Sequence, residues 1–235
     1  GFIASAFGQG ASREDRSEVQ GSLQPLAATP RAEARPAVVD LRYALPAVGS
    51  QTMNDCVGWA YAYAARTYLE AVDQGWKPDD PQRIFSPTFV YNQINNGADK
   101  GSSPIKAVEL LRDQGVATQR SMPYLANNHT FDPLRIGRAV QEAATFRIAD
   151  FRIVTDGERM REALAAGEII CIGVRTNPAF SSGRYGLYTP ELHARGQAAR
   201  RPDQPHGYHA MVVAGYDDHK RAFLLMNSWG QDWGQ

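Results

Sequence analysis

Gln51-Thr-Met-Asn-Asp-Cys56-Val-Gly-Trp-Ala-Tyr-Ala-Tyr63 is a polar run that changes, at a single cysteine, into a run of small and aromatic residues. Asn54 and Asp55 are helix-capping residue types. Ala60, Ala62, Ala64 and Ala65 follow with no proline, so a helix is predicted to begin within a residue or two of Cys56. The thiol then sits in the first helical turn, where unpaired backbone N–H groups and the positive end of the helix dipole favour a thiolate, the nucleophilic form. Free cysteine is more often a buried structural residue than a nucleophile. The far end of the chain decides between the two readings.

There, His209-Ala-Met-Val-Val-Ala-Gly-Tyr216 and Ala222-Phe-Leu-Leu-Met-Asn227-Ser-Trp-Gly230 are apolar runs on either side of a short polar linker, the pattern of a β-hairpin. Folding the chain about Asp218 or His219 sets His209 opposite Asn227 or Ser228. Opposed residues have Cβ atoms about 4.5 to 5.5 Å apart, close enough for an amide oxygen to orient an imidazole. A cysteine at a helix start, a distant histidine and an asparagine to hold it form a Cys-His-Asn set suited to acyl transfer.

These residues resemble the papain-like cysteine peptidases. Cys56 with Trp59-Ala60 is similar to the nucleophile segment, Tyr208-His209-Ala210 through Gly215-Tyr216 to the histidine strand, and Asn227-Ser-Trp-Gly-Gln-Asp-Trp-Gly234 to the asparagine segment. The resemblance implies an α+β, two-lobed papain-like fold. A helical N-terminal lobe, about residues 50–145, would carry the cysteine helix, and an antiparallel β lobe, about 146–235, the histidine and asparagine. It implies a cysteine endopeptidase working through a thioester on Cys56, with no cofactor and no metal. A transpeptidase, transglutaminase or deamidase would use the same thioester. A non-catalytic peptide-binding module is the rival from outside catalysis, and the complete Cys56, His209 and Asn227 set argues against it.

The same resemblance gives Gln51 the role of an oxyanion donor beside the Cys56 backbone N–H, a contribution of about 3 to 4 kcal/mol per donor in comparable hydrolases. The family glutamine precedes the cysteine by six residues; Gln51 precedes it by five, which requires a tighter loop or another donor. Gly101, Ser102 and Ser103, in the glycine-bearing loop Asn95–Pro104, match the segment whose backbone pairs with an extended substrate. Trp229 falls where the family shields the Asn–His hydrogen bond from water.

Twenty-five basic residues balance twenty-five acidic ones in a chain of 235, which provides no field for steering toward nucleic acid or an anionic membrane. The partner expected is a peptide or protein substrate. Two cysteines, Cys56 and Cys171, build no disulfide framework. Cys171, in Glu168-Ile-Ile-Cys-Ile-Gly-Val174, reads as a buried strand residue. No apolar run approaches the roughly 20 residues of a membrane span. Cysteine usage does not decide compartment; a secreted or periplasmic location is favoured over the cytoplasm.

Residues 1–36 have the composition of a flexible arm, read as a pro-segment or latch that inhibits the domain at 37–235. Val38-Val-Asp-Leu-Arg42 resembles the opening of the mature family domain. The Cys56 helix is expected to run to about Val72 and stop at Gly75. Further helices should follow Ser86-Pro87 and Ser103-Pro104, and a capping box should stand at Thr155-Asp-Gly-Glu158. The polar segment 189–207 reads as an insertion beside the cleft, with His193 and His206 solvated. The family's last strand would lie past Gln235.

Overall fold

The computed structural model describes residues 2–7, 35–201, 203 and 207–235. The helical part is built around α1. This helix begins as α-helix at Cys56–Gly58, widens to a π-helix over Trp59–Arg66 and returns to α-helix over Thr67–Gln74. Every residue of the π segment is buried, so α1 is the axis of the lobe and has no solvent face there. Gly75 ends it in the left-handed conformation at φ 65°, open to glycine without a Cβ penalty.

Helix α2 (Pro87–Ile94) starts where Ser86 Oγ accepts the Phe89 N–H at 3.1 Å, with proline in the first turn as expected from Ser86-Pro87. It crosses α1 closely: a Cβ on Gly58 would lie 2.5 Å from the Pro87 carbonyl oxygen. Helices α3 (Pro104–Asp113) and α4 (Pro133–Ala143) complete the lobe, their Ile105, Val108, Leu111, Ile136 and Ala139 all buried. Ser103 stands at the N-cap of α3 without a side-chain cap bond.

The second part is one mixed sheet. Strands β1 (Phe2–Phe7), β2 (Val38–Asp40), β3 (Asp150–Ile153), β4 (Ile170–Thr176) and β5 (Gly207–Asp217) lie in the order β2-β5-β4-β1-β3, and β6 (Ala222–Met226) pairs with β5. Pairing is antiparallel through β2, β5, β4 and β6 and parallel where β1 runs between β3 and β4. The composition of residues 1–36 suggested an unstructured arm. Residues 2–7 are instead an interior strand, because two strands far along the chain supply hydrogen bonds on both its edges. The rest of the arm up to residue 34 lies outside the described residues.

Helix α5 (Gly157–Ala165) precedes β4, and its cap is Asp156, whose carboxylate accepts the Arg159 N–H at 2.9 Å; the capping box expected at Thr155 is thus displaced by one residue. Segment 189–207 holds two described features: α7 (Pro190–Ala198), which follows the short α6 (Pro178–Ser181), and an exposed His193. His206 lies outside the described residues. Cys171 is buried in β4 as expected.

Candidate active site

Cys56 opens α1, and His209 and Asn227 come from the hairpin of β5 and β6, so the fold brings opposite ends of the sequence to one place. Asn227 Oδ1 accepts from His209 Nε2 at 2.6 Å and from the Ser228 N–H at 2.7 Å. Because the backbone N–H must meet oxygen, the amide orientation is determined and Nε2 carries the proton. Nδ1 is then the imidazole's free nitrogen, the one able to exchange a proton with a thiol.

The hairpin does this in an unexpected register. Val212 pairs with Met226, Gly215 with Leu224 and Asp217 with Ala222, with a bulge between Val213 and Gly215. The polar turn is therefore centred later than Asp218, and continuing the pairing sets Trp229, not Asn227, level with His209. The correction has a structural reward. Trp229 stacks on the His209 ring at 4.2 Å between centroids and 28° between planes, while Asn227 reaches the ring diagonally. Phe180 and Trp233 pack on the other sides of Trp229, at 6.0 and 5.4 Å. His209 and Asn227 are both buried, so their hydrogen bond is shielded from water.

Cys56 is half-buried against β5, with the Ala210 backbone N–H directed at its sulfur. Burial pushes the thiol up from its ordinary value, opposed by the N–H groups of Ala210, Val57 and Cys56. Burial also pushes His209 down, opposed by the bond to Asn227. The helix start alone thus does not yield the thiolate that its position suggested: desolvation favours the neutral thiol and imidazole.

The capping expectation also changes. Asp55 stands at the N-cap of α1 but makes no side-chain cap bond. Its Oδ2 accepts from Trp59 Nε1 at 3.2 Å beneath the loop, and Asn54 turns the other way, to Asp99. Asp55 is wholly buried beside Cys56. A capping residue type at a helix start concealed this; the only sequence signal was a tryptophan four residues on.

Gln51 is drawn into the site. Its Nε2 donates to the Met53 carbonyl at 2.7 Å, and its Oε1 accepts from Ser228 Oγ at 2.7 Å, which ties the loop to the residue after Asn227. The Gln51 N–H meets the Ser228 carbonyl at 2.7 Å. This bracing leaves one N–H of the amide without a partner among the described residues. Gly101, in the left-handed region at φ 87°, lies against the nucleophile loop, where a Cβ would be 4.0 Å from the Asn54 carbonyl. Asp99 joins the two loops by accepting the Asn54 N–H at 2.8 Å and the Tyr91 hydroxyl at 2.6 Å. Ser102 Oγ is buried with no hydrogen-bond partner among the described residues, and Ser103 occupies the N-cap position of α3 beside it. Among the described residues no His, Cys, Asp and Glu cluster could hold a metal ion, and no helix is long and apolar enough to cross a membrane.

A family model described as papain family cysteine protease matches residues 36–235, so the chain belongs to the papain family of cysteine proteases. Xylellain, a cysteine protease from Xylella fastidiosa, superposes with a TM-score of 0.67 at 21% identity over 90% of this chain and 85% of that one. Digestive procathepsin L 3 of Tenebrio molitor superposes at 0.64 with 18% identity, over 90% and 65%. An uncharacterized peptidase C1-like protein of Acanthamoeba polyphaga mimivirus is 23% identical over 84% of this chain. Pro-cathepsin H of Bos taurus is 25% identical over 60% of it. The chain spans 64% of the viral relative and 40% of the cathepsin.

Proposed function

We propose that the protein is an endopeptidase that cleaves peptide bonds through a thioester on Cys56. The observation that carries this reading is the His209 Nε2–Asn227 Oδ1 bond of 2.6 Å under Trp229, which leaves Nδ1 as the proton-exchanging nitrogen. His209 takes the Cys56 proton, Cys56 Sγ attacks the carbonyl carbon, and the oxyanion is held by the Cys56 N–H and the remaining N–H of Gln51. The imidazolium protonates the leaving amine. Water, deprotonated by His209, then hydrolyses the thioester and restores the thiol. No cofactor takes part.

The wall at Gly101, Ser102 and Ser103 is read as the substrate's backbone-pairing strip, with Ser102 Oγ as an unfilled polar contact. The procathepsin relatives support reading residues 1–36 as a self-inhibiting pro-segment anchored by β1, and an exported location.

The test is hydrolysis of a peptide library by the wild-type chain and by Cys56→Ala. Product masses should show cleavage by water and complete loss in the variant. Transfer to an added amine, or deamidated product, would reassign the reaction, and wild-type turnover in Cys56→Ala would overturn the assignment.

A further inference from the structure

Asp55 is covalently joined to the nucleophile, wholly buried, and unused by the mechanism above. Its surroundings are sparse for a carboxyl group. Oδ2 has Trp59 Nε1 at 3.2 Å, while Oδ1 is buried with no hydrogen-bond partner among the described residues. The Tyr124 hydroxyl faces the carboxyl from the connection after α3; it accepts the Thr52 N–H at 2.9 Å, lies 3.1 Å from Thr52 Oγ1 and has its own hydrogen to share with the carboxyl. The Trp59 and Tyr124 rings meet edge to face at 4.9 Å and close the space around it. Among the described residues no cation is among the main groups acting on it. The ionisable groups turned toward it are Cys56 on α1, Tyr124 on the connection, Tyr91 on α2 and Asp99 on the following loop.

We propose that Asp55 is a positioning residue that sets the acid–base balance of the nucleophile: its negative charge opposes the Cys56 thiolate, and its protonation relieves that opposition. The inference rests on reading Cys56 as the nucleophile. A carboxylate in a dry pocket whose side-chain donors, Tyr124 and Trp59, are both neutral is poorly stabilised, so it holds a proton to higher pH than an exposed one. Burial raises Asp55 from 3.8 to about 6, with Trp59 and Tyr124 opposing the rise. Below that pH the group is neutral and Cys56 ionises against burial alone. Above it, two adjacent anions would have to share one low-dielectric site. The device favours the nucleophile in an acidic compartment and restrains it at neutral pH. The same neutral carboxyl also gains a donor hydrogen for the otherwise empty side of its pocket.

The experiment is alkylation of Cys56 by iodoacetamide between pH 4.5 and 8, read by peptide mass spectrometry so that the buried Cys171 does not contribute. Wild type is compared with Asp55→Asn, which keeps an acceptor for Trp59, and with Asp55→Ser, which does not. The ratio of variant to wild-type rate should be flat below about pH 5. It should then rise by roughly threefold or more by pH 7.5 in both variants, since the like charge of the adjacent residue is removed only where Asp55 is ionised. A ratio independent of pH, or one that falls with pH, overturns the proposal even if both variants are uniformly slower. Peptide hydrolysis measured in parallel separates the two readings. A rising ratio without hydrolysis sinks the peptidase assignment alone, and hydrolysis with a flat ratio sinks the role of Asp55 alone.

Discussion

At Asp55, the residue before Cys56, local chemistry and global stability pull against each other. A carboxyl raised from 3.8 to about 6 binds more protons in the folded chain than in the unfolded one between those values. Stability therefore falls as pH climbs through that window, and the cost is complete above it. The gap corresponds to about 3 kcal/mol at neutral pH. Asp55→Asn should raise the urea unfolding free energy at pH 7 by up to that amount and leave it unchanged near pH 3.5; an equal gain at both values would refute the account. That Cys56, His209 and Asn227 would be brought together was legible in the sequence because each stood in a recognisable run. The inward turn of Asp55 was not, since capping and burial use the same residue type. Nor was the register of Trp229 over His209, which depends on a bulge at Ala214 that no local pattern announces.

Helix α1 shows what element-scale reading captures and what it misses. Its start at Cys56 and its stop at Gly75 follow from alanine content and a glycine that alone adopts φ 65° at no cost. Its burial on all sides and its widened middle come from neighbours. Inside that middle, Arg66 Nη2 meets Glu70 Oε2 at 2.6 Å with both side chains nearly excluded from water. Arg66 Nε donates to the Phe146 carbonyl at 3.1 Å, its guanidinium lies 4.7 Å from the Phe85 ring centre, and Gln74 Nε2 donates to Glu70 at 3.1 Å. Burial lowers Arg66 from its ordinary value, opposed by Glu70. Arg66→Met strands a buried carboxylate and should cost about 3 to 5 kcal/mol in urea unfolding. Pairing it with Glu70→Leu should recover most of that loss, because an apolar pair of similar volume removes both desolvation penalties. Additive losses in the double variant would show that the pair matters through other contacts.

For the molecule as a whole, the two-part architecture was legible: helices announced by proline and glycine in the first half, apolar runs in the second. The place of residues 2–7 was not. Six residues without a clear period carry no information about their two partner strands, which begin more than a hundred residues later. Ala4 pairs with Arg152 on one side and Ile170 on the other. Ala4→Pro removes a ladder donor from an interior strand and should lower the thermal midpoint by several degrees. The same substitution tests the pro-segment reading. Activity gained at unchanged stability would mean that the strand only tethers an inhibitor, whereas stability lost together with activity would mean that the domain needs it.

The position of β1 also dictates an order of events during synthesis. Phe2–Phe7 leaves the ribosome long before Asp150–Ile153 and Ile170–Gly173 exist to receive it. At about 5 to 20 residues per second, that is a wait of roughly ten to thirty seconds. For that interval an aromatic-ended segment has no native seat, so a segment made early is among the last to dock. Newborn chains should depend on a holding chaperone to a degree that the finished fold would not suggest.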